Sequence, residues 1–256
     1  MTITPSTLTR AAGVAAVAAG VFFIGVQIGH PHSDVTAVAT SEWAVRNSFK
    51  VLMAALALAG ITGMYLRQVR QIGLLGLIGY LLFGAGYLTI MSVAFVSAYV
   101  LPSIAGTDPG YVNDVLAAAT NGSATGDIGL LQSALDVSGI TFLGGGLVFG
   151  IALYRAGVLA RWACALLAVG GVVTVVISVL PDGFYRLLAF PNGIALIALG
   201  YSLWSTVRRD TTAQPAAVRT RPVTTAGADD TRIPSRASAE TRSKLREELM
   251  NCCLIH

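Results

Sequence analysis

Long apolar runs, each closed by a few polar residues, set the pattern of this chain. Six runs stand out, at about 11–29, 51–66, 72–100, 128–154, 158–180 and 185–207. A helix needs about 20 apolar residues to cross the hydrocarbon of a bilayer. The pattern therefore predicts an all-α integral membrane protein, a bundle of six transmembrane helices occupying 1–209. The apolar stretch of the first run exceeds the roughly 7–15 residues of a cleaved leader, and no A-x-A site precedes His30. It is read as a retained helix.

The connections carry a second pattern. Between the third and fourth runs, Tyr111, Val112, Val115, Leu116 and Ala119 recur at helical spacing after Pro102. That predicts a short amphipathic helix on the outer surface or capping the bundle. The stretch 34–47 is expected to behave similarly, with Trp43 at the interface. From 210 the chain turns polar and irregular, which predicts a largely disordered tail over 210–256. Within it, 238–250 has the charge spacing of a short helix, with Leu245 and Leu249 on one side.

Composition strengthens the membrane reading. Charged residues are 12% and hydrophobic ones 54% of the 256 positions, against about 25% charged in soluble domains. The mean hydropathy is +0.70. The net charge of +4 does not point to nucleic acid, because no aromatic-basic face accompanies it. Cytoplasmic loops carry the excess of Lys and Arg. With the N-terminus inside, Arg10, Arg67, Arg70, Arg155, Arg161, Arg208 and Arg209 fall on the cytoplasmic side, and only Arg46, Lys50 and Arg186 fall outside. Both termini are thus expected in the cytoplasm of a multi-pass cell-membrane protein. The preference for Arg over Lys fits a bacterial, GC-rich source.

Small and breaking residues add detail. Gly25/Gly29 and Gly146/Gly150 are G-x-x-x-G pairs, and Gly144-Gly145-Gly146 precedes the second; both predict close helix packing. Pro191-Asn192-Gly193 predicts a kink inside the sixth helix. Pro181-Asp182-Gly183 reads as an outer turn. Cys164 reads as a small hydrophobe, and Cys252 and Cys253 make neither a disulfide framework nor a lipidation signal.

Asp136 is the most informative single residue. A carboxylate inside the fourth run must face protein or water, because lipid exposure costs at least ~2.5 kcal/mol. Gln132 shares its helix face, Lys50 is its expected cationic partner, and Asn192 lies beside the sixth-helix break. These four form the candidate intramembrane polar site. His30, His32 and Asp34 resemble the start of a metal site, but further ligands are lacking, and the bland reading is an interfacial turn. No catalytic residue, cofactor or metal is predicted.

The expected role is a non-catalytic accessory or scaffold protein. Its partners would be the lipid bilayer, a cytoplasmic protein bound through the tail, and a second copy in a homo-oligomer. The alternative is a small-solute or ion transporter component using Asp136. An enzyme with an outward site on His30, His32 and Glu42 is a distant third.

Overall fold

The computed structural model describes residues 4–28, 34–120, 122–177 and 189–218. His30, His32 and the 181–183 turn lie outside them, as does the proposed helix at 238–250. The chain divides into two units, Met1–Gln214 and Pro215–His256. In chain order the helices are α1 (Pro5–Gly25), α2 (Val35–Val38), α3 (Ser41–Arg67), α4 (Val69–Tyr99), α5 (Leu101–Ile104), α6 (Pro109–Ala119), α7 (Leu131–Ala156), α8 (Arg161–Ile177) and α9 (Ala189–Val218). Four stretches, Pro5–Gly25, Ser41–Arg67, Val69–Ile104 and Leu131–Ala156, are long and apolar enough to cross a membrane. In α8 the apolar part described runs over Arg161–Gly170.

Local chemistry explains where the helices begin and end. Thr4 caps α1, with Pro5 following where its missing N–H costs nothing, and Thr40 caps α3 by accepting from the Trp43 amide at 3.2 Å. Asp108 does the same for α6 ahead of Pro109, taking the Tyr111 amide at 2.9 Å. Gly157, at φ 68°, ends α7 in the left-handed conformation that glycine accepts most readily. Gly73 bends α4 one turn from its start, at φ 59° and ψ −162°. That backbone region is essentially closed to other residues.

Helices in lipid gain little hydrophobic drive toward one another, so close van der Waals fit must hold them. The α4–α7 seam achieves it by alternating small and large. Gly79 faces Phe149, Phe83 faces Gly145, and Gly86 faces Phe142, three rungs in one antiparallel register. A Cβ on Gly79 would stand 2.5 Å from the Phe149 amide nitrogen, and one on Gly86 2.7 Å from the Phe142 Cα. Between α1 and α9 the fit is glycine on glycine. Gly13 lies against Gly200, and Gly20 against Gly193, two contacts seven residues apart. The other side of α1 sets Ala16 against Gly60 and Ala12 against Gly63 of α3.

These contacts, with Gly150 on Ala168 of α8 and Gly170 on Asn192 of α9, order the six long helices in a closed ring: α1, α3, α4, α7, α8, α9 and back to α1. Consecutive long helices run antiparallel. One continuous apolar core fills the ring, including Ile61, Met64, Tyr87, Phe149, Leu196 and Leu203. Phe23 of α1 stacks on Phe142 of α7, with centroids 6.5 Å apart. A second, smaller core of Val38, Trp43, Leu101, Val112, Val115 and Leu116 joins α2, α5 and α6 to the end of the bundle.

Several expectations change. Helix α3 begins ten residues before the predicted 51, because Thr40 caps it and Glu42 sits favourably in its first turn. Trp43 is buried in the second core. The face that α6 buries includes Ala118 in place of Ala119. Pro191 stands at the edge of the described part of α9, and the segment before it, on which the expected kink depends, lies outside the described residues. Helix α9 also continues to Val218, past the predicted end at 207. In α7 the closest approaches are at Gly145 and Gly150, with Gly146 against the Phe83 ring, while a Cβ on Gly25 of α1 would meet nothing within 4 Å.

Candidate functional site

The alternation of the helices segregates most of the charges, with Arg46 and Lys50 of α3 standing at the acidic end. Arg10, Arg67, Arg70, Arg155, Arg161 and Arg208 sit at one end of the ring. Asp34, Glu42, Asp108, Asp114, Asp127 and Asp136 sit at the other. At the basic end Arg208 lies over the Trp204 ring, 4.1 Å from its centroid. The acidic end also carries the second core, and the polar geometry of interest is concentrated there.

Asp136 stands on the second turn of α7, exposed. Gln132, one turn earlier, donates from Nε2 to Asp136 Oδ1 at 3.1 Å and accepts the Ala124 amide on its Oε1 at 3.3 Å. Gln132 thus ties the loop before α7 to the carboxylate. Lys50 is half-buried on α3, and the hydrogen bond seen at Asp136 comes from Gln132. Asn192 is buried between α8 and α9, where a Cβ on Gly170 would come 2.6 Å from its Oδ1. The α7–α8 register sets Asn192 level with Gly146, ten residues or roughly 15 Å along the axis from Asp136. The structure brings Gln132 and Asp136 together; Lys50 belongs to α3 and Asn192 to α9.

Other polar contacts at this end are firmer. Arg46 donates to Glu42 Oε1 from Nε and Nη2, at 3.0 and 2.9 Å, and from Nη1 to the carbonyl of Ile28 at 2.9 Å. It reaches the Val26 carbonyl at 3.4 Å. A guanidinium is well placed there, because the end of α1 presents unpaired carbonyls and partial negative charge. The Trp43 indole N–H donates to the carbonyl of Ser97 at 3.0 Å, inside the second core. Asn47, also buried, donates to the Trp43 carbonyl at 3.0 Å.

Asp114 of α6 accepts the Thr125 amide and hydroxyl, each at 2.8 Å, and the Gly126 amide at 3.1 Å. The Thr125 hydrogen bonds hold its carboxyl below the usual aspartate range. This clamp folds the 122–130 loop back on α6. The Glu42–Arg46 spacing of four signals a pair only once that segment is known to be helical. The Asp114 partners lie eleven and twelve residues away across a loop, where no periodicity signals them.

Among the described residues no group of three or more His, Cys, Asp or Glu side chains is placed to hold a metal ion. The arrangement of charges and carbonyl acceptors joins segments, and the Gln132–Asp136 pair is the one exposed feature of the four candidates. Comparison with known proteins adds no relative: no family model matches the chain, and no curated protein or solved structure matches it.

Proposed function

We propose that the chain is a six-crossing membrane protein, with both termini cytoplasmic, that serves as a non-catalytic accessory or scaffold. The six crossings add α8 and α9 to the four helices long and apolar enough to span. The basic end of the ring faces the cytoplasm under the positive-inside rule, and the acidic end with its small second core faces outward.

The observation that carries the scaffold reading is the interior. The ring closes on aromatic and aliphatic side chains, among them Phe83, Tyr87, Phe142, Phe149 and Leu199. Intramembrane polar groups in transporters usually converge on a pathway. Asp136 and Asn192 do not, and Gln132 is engaged with the outer loop.

Two measurements test this. Reporters fused at Asn121 and after Val218 should be active outside and inside the cell, respectively; the reverse pattern would invert the orientation. In sealed vesicles the purified protein should pass protons and alkali ions no faster than protein-free controls. A flux that Asp136→Asn removes, in a protein that remains folded, would replace the scaffold by the transport reading.

A further inference from the structure

Beneath α6, where α4 and α7 diverge, lies a half-open cavity of about 150 Å³. Val96 of α4, Val115 of α6, and Leu131 and Leu135 of α7 form its wall. Three hydroxyl-bearing residues, Thr89, Ser92 and Ser97, stand in an otherwise apolar lining, and two of them have given their protons to backbone carbonyls. Thr89 Oγ1 donates to the Ala85 carbonyl at 3.1 Å, and Ser92 Oγ to the Leu88 carbonyl at 2.9 Å. Water needs two to four polar partners to stay in such a space, and apolar cavities of about 150 Å³ in other proteins remain dry and take benzene or xenon. The occupant is therefore hydrocarbon, and roughly a benzene's worth of carbon at a time.

What supplies that hydrocarbon is set by the surroundings. The lining runs on into exposed apolar side chains, Leu88 and Phe95 on α4 and Val137 on α7, each at least half exposed. The roof is fixed, because Val115 sits one residue after Asp114, which is clamped to Thr125 and Gly126.

We propose that this cavity is a binding site for one acyl chain of the surrounding lipid, held between α4 and α7 under α6. It rests on the membrane reading above and goes beyond it, because the site is a particular crevice and not the general lipid-facing surface. A chain seated there would contact the α6 roof through Val115 and couple the second core to the state of the bilayer.

The test uses the full chain in phosphatidylcholine vesicles doped with phosphatidylcholine bearing a diazirine on its acyl chain. After irradiation, adducts are mapped by peptide mass spectrometry. Adducts are expected at the lining positions Val93, Val96, Leu131 and Leu135, and also at Leu81, an exposed position on α4 outside the cavity. Ala134→Phe, which fills the cavity, should cut the first set several-fold and leave Leu81 labelling unchanged. Ser92→Phe provides a second filling variant should the first fail to fold. Cavity adducts that persist in the filled protein would overturn the proposal, as would labelling at Leu81 with none in the cavity. Absence of labelling everywhere would overturn the membrane reading itself.

Discussion

Phe83 of α4 lies directly on Gly145 of α7, so that a Cβ on Gly145 would strike the Phe83 backbone nitrogen. Its neighbour Gly144 has nothing within 4 Å of where a Cβ would go. The two glycines therefore answer oppositely to the same change. Gly145→Ala forces α4 and α7 apart and should destabilise by about 1–3 kcal/mol, the usual range for overpacking. Gly144→Ala gains helix propensity without a clash and should stabilise by up to about 1 kcal/mol. Thermal unfolding in detergent reads both. Equal and small effects would show that the three-rung seam does not govern stability.

Gly73 makes a different prediction, because its constraint is conformational and not steric. No atom crowds it, yet its backbone sits at φ 59° and ψ −162°. Gly73→Ala should cost about 1–3 kcal/mol through strain alone. The loss should appear in unfolding midpoints even though the new methyl meets open space. A neutral Gly73→Ala would mean that α4 runs straight.

These glycines show what the sequence could and could not convey. The apolar runs, the charge asymmetry and the capping helix at α6 were legible, because length, spacing and charge act locally. Which of Gly144, Gly145 and Gly146 meets α4 was not. Successive helical residues point about 100° apart, and the choice is made by register with Phe83, a residue some sixty positions away. The start of α3 was hidden for a related reason: Glu42, Arg46, Asn47 and Lys50 look like a polar loop. In the fold Arg46 spends its donors on Glu42 and the end of α1, and Asn47 turns onto the Trp43 carbonyl. Of the candidate site, the Gln132–Asp136 contact was legible because i and i+4 share a face. Lys50 and Asn192 needed knowledge of which helices adjoin.

The Trp43–Ser97 hydrogen bond should matter beyond its own strength. Trp43→Phe keeps most of the ring but leaves the Ser97 carbonyl buried without the indole donor. An abandoned buried acceptor costs about 1–3 kcal/mol, more than the net gain from a typical bond. Hydrogen exchange should quicken first in α5 and α6, which share the second core with Trp43. A uniform change across all helices would argue against a separate second core.

Acid should loosen the 122–130 loop through Asp114. Its folded-state pKa lies below the ordinary 3.8 because the Thr125 amide and hydroxyl bond its charged form. A lowered folded pKa means the clamp is at full strength above the unfolded value, and is lost as pH falls through the folded one. Protection factors at the Thr125 and Gly126 amides should therefore be flat at neutral pH and drop only in strong acid. Asp114→Asn should lower them at neutral pH to the level the wild type reaches in strong acid, and so remove the acid transition. If the variant retained that transition, some group other than Asp114 would hold the loop.

Asp136 provides the sharpest contrast between the two functional readings. It is exposed, and it accepts the 3.1 Å hydrogen bond from Gln132 Nε2. Asparagine offers the same oxygen to the same donor, so Asp136→Asn should change stability by no more than about 0.5 kcal/mol, as for an ordinary surface position. Gln132→Ala should cost more, since it also releases the Ala124 amide and with it the loop entering α7. If the pair is structural, then, the glutamine is the greater contributor and the carboxylate the lesser. A large loss of stability in Asp136→Asn, partly restored by Lys50→Gln, would instead mean that the charge is paired across helices as the sequence suggested. The comparison requires only three purified variants and one unfolding assay, and its order of effects separates a loop tie from a buried ion pair.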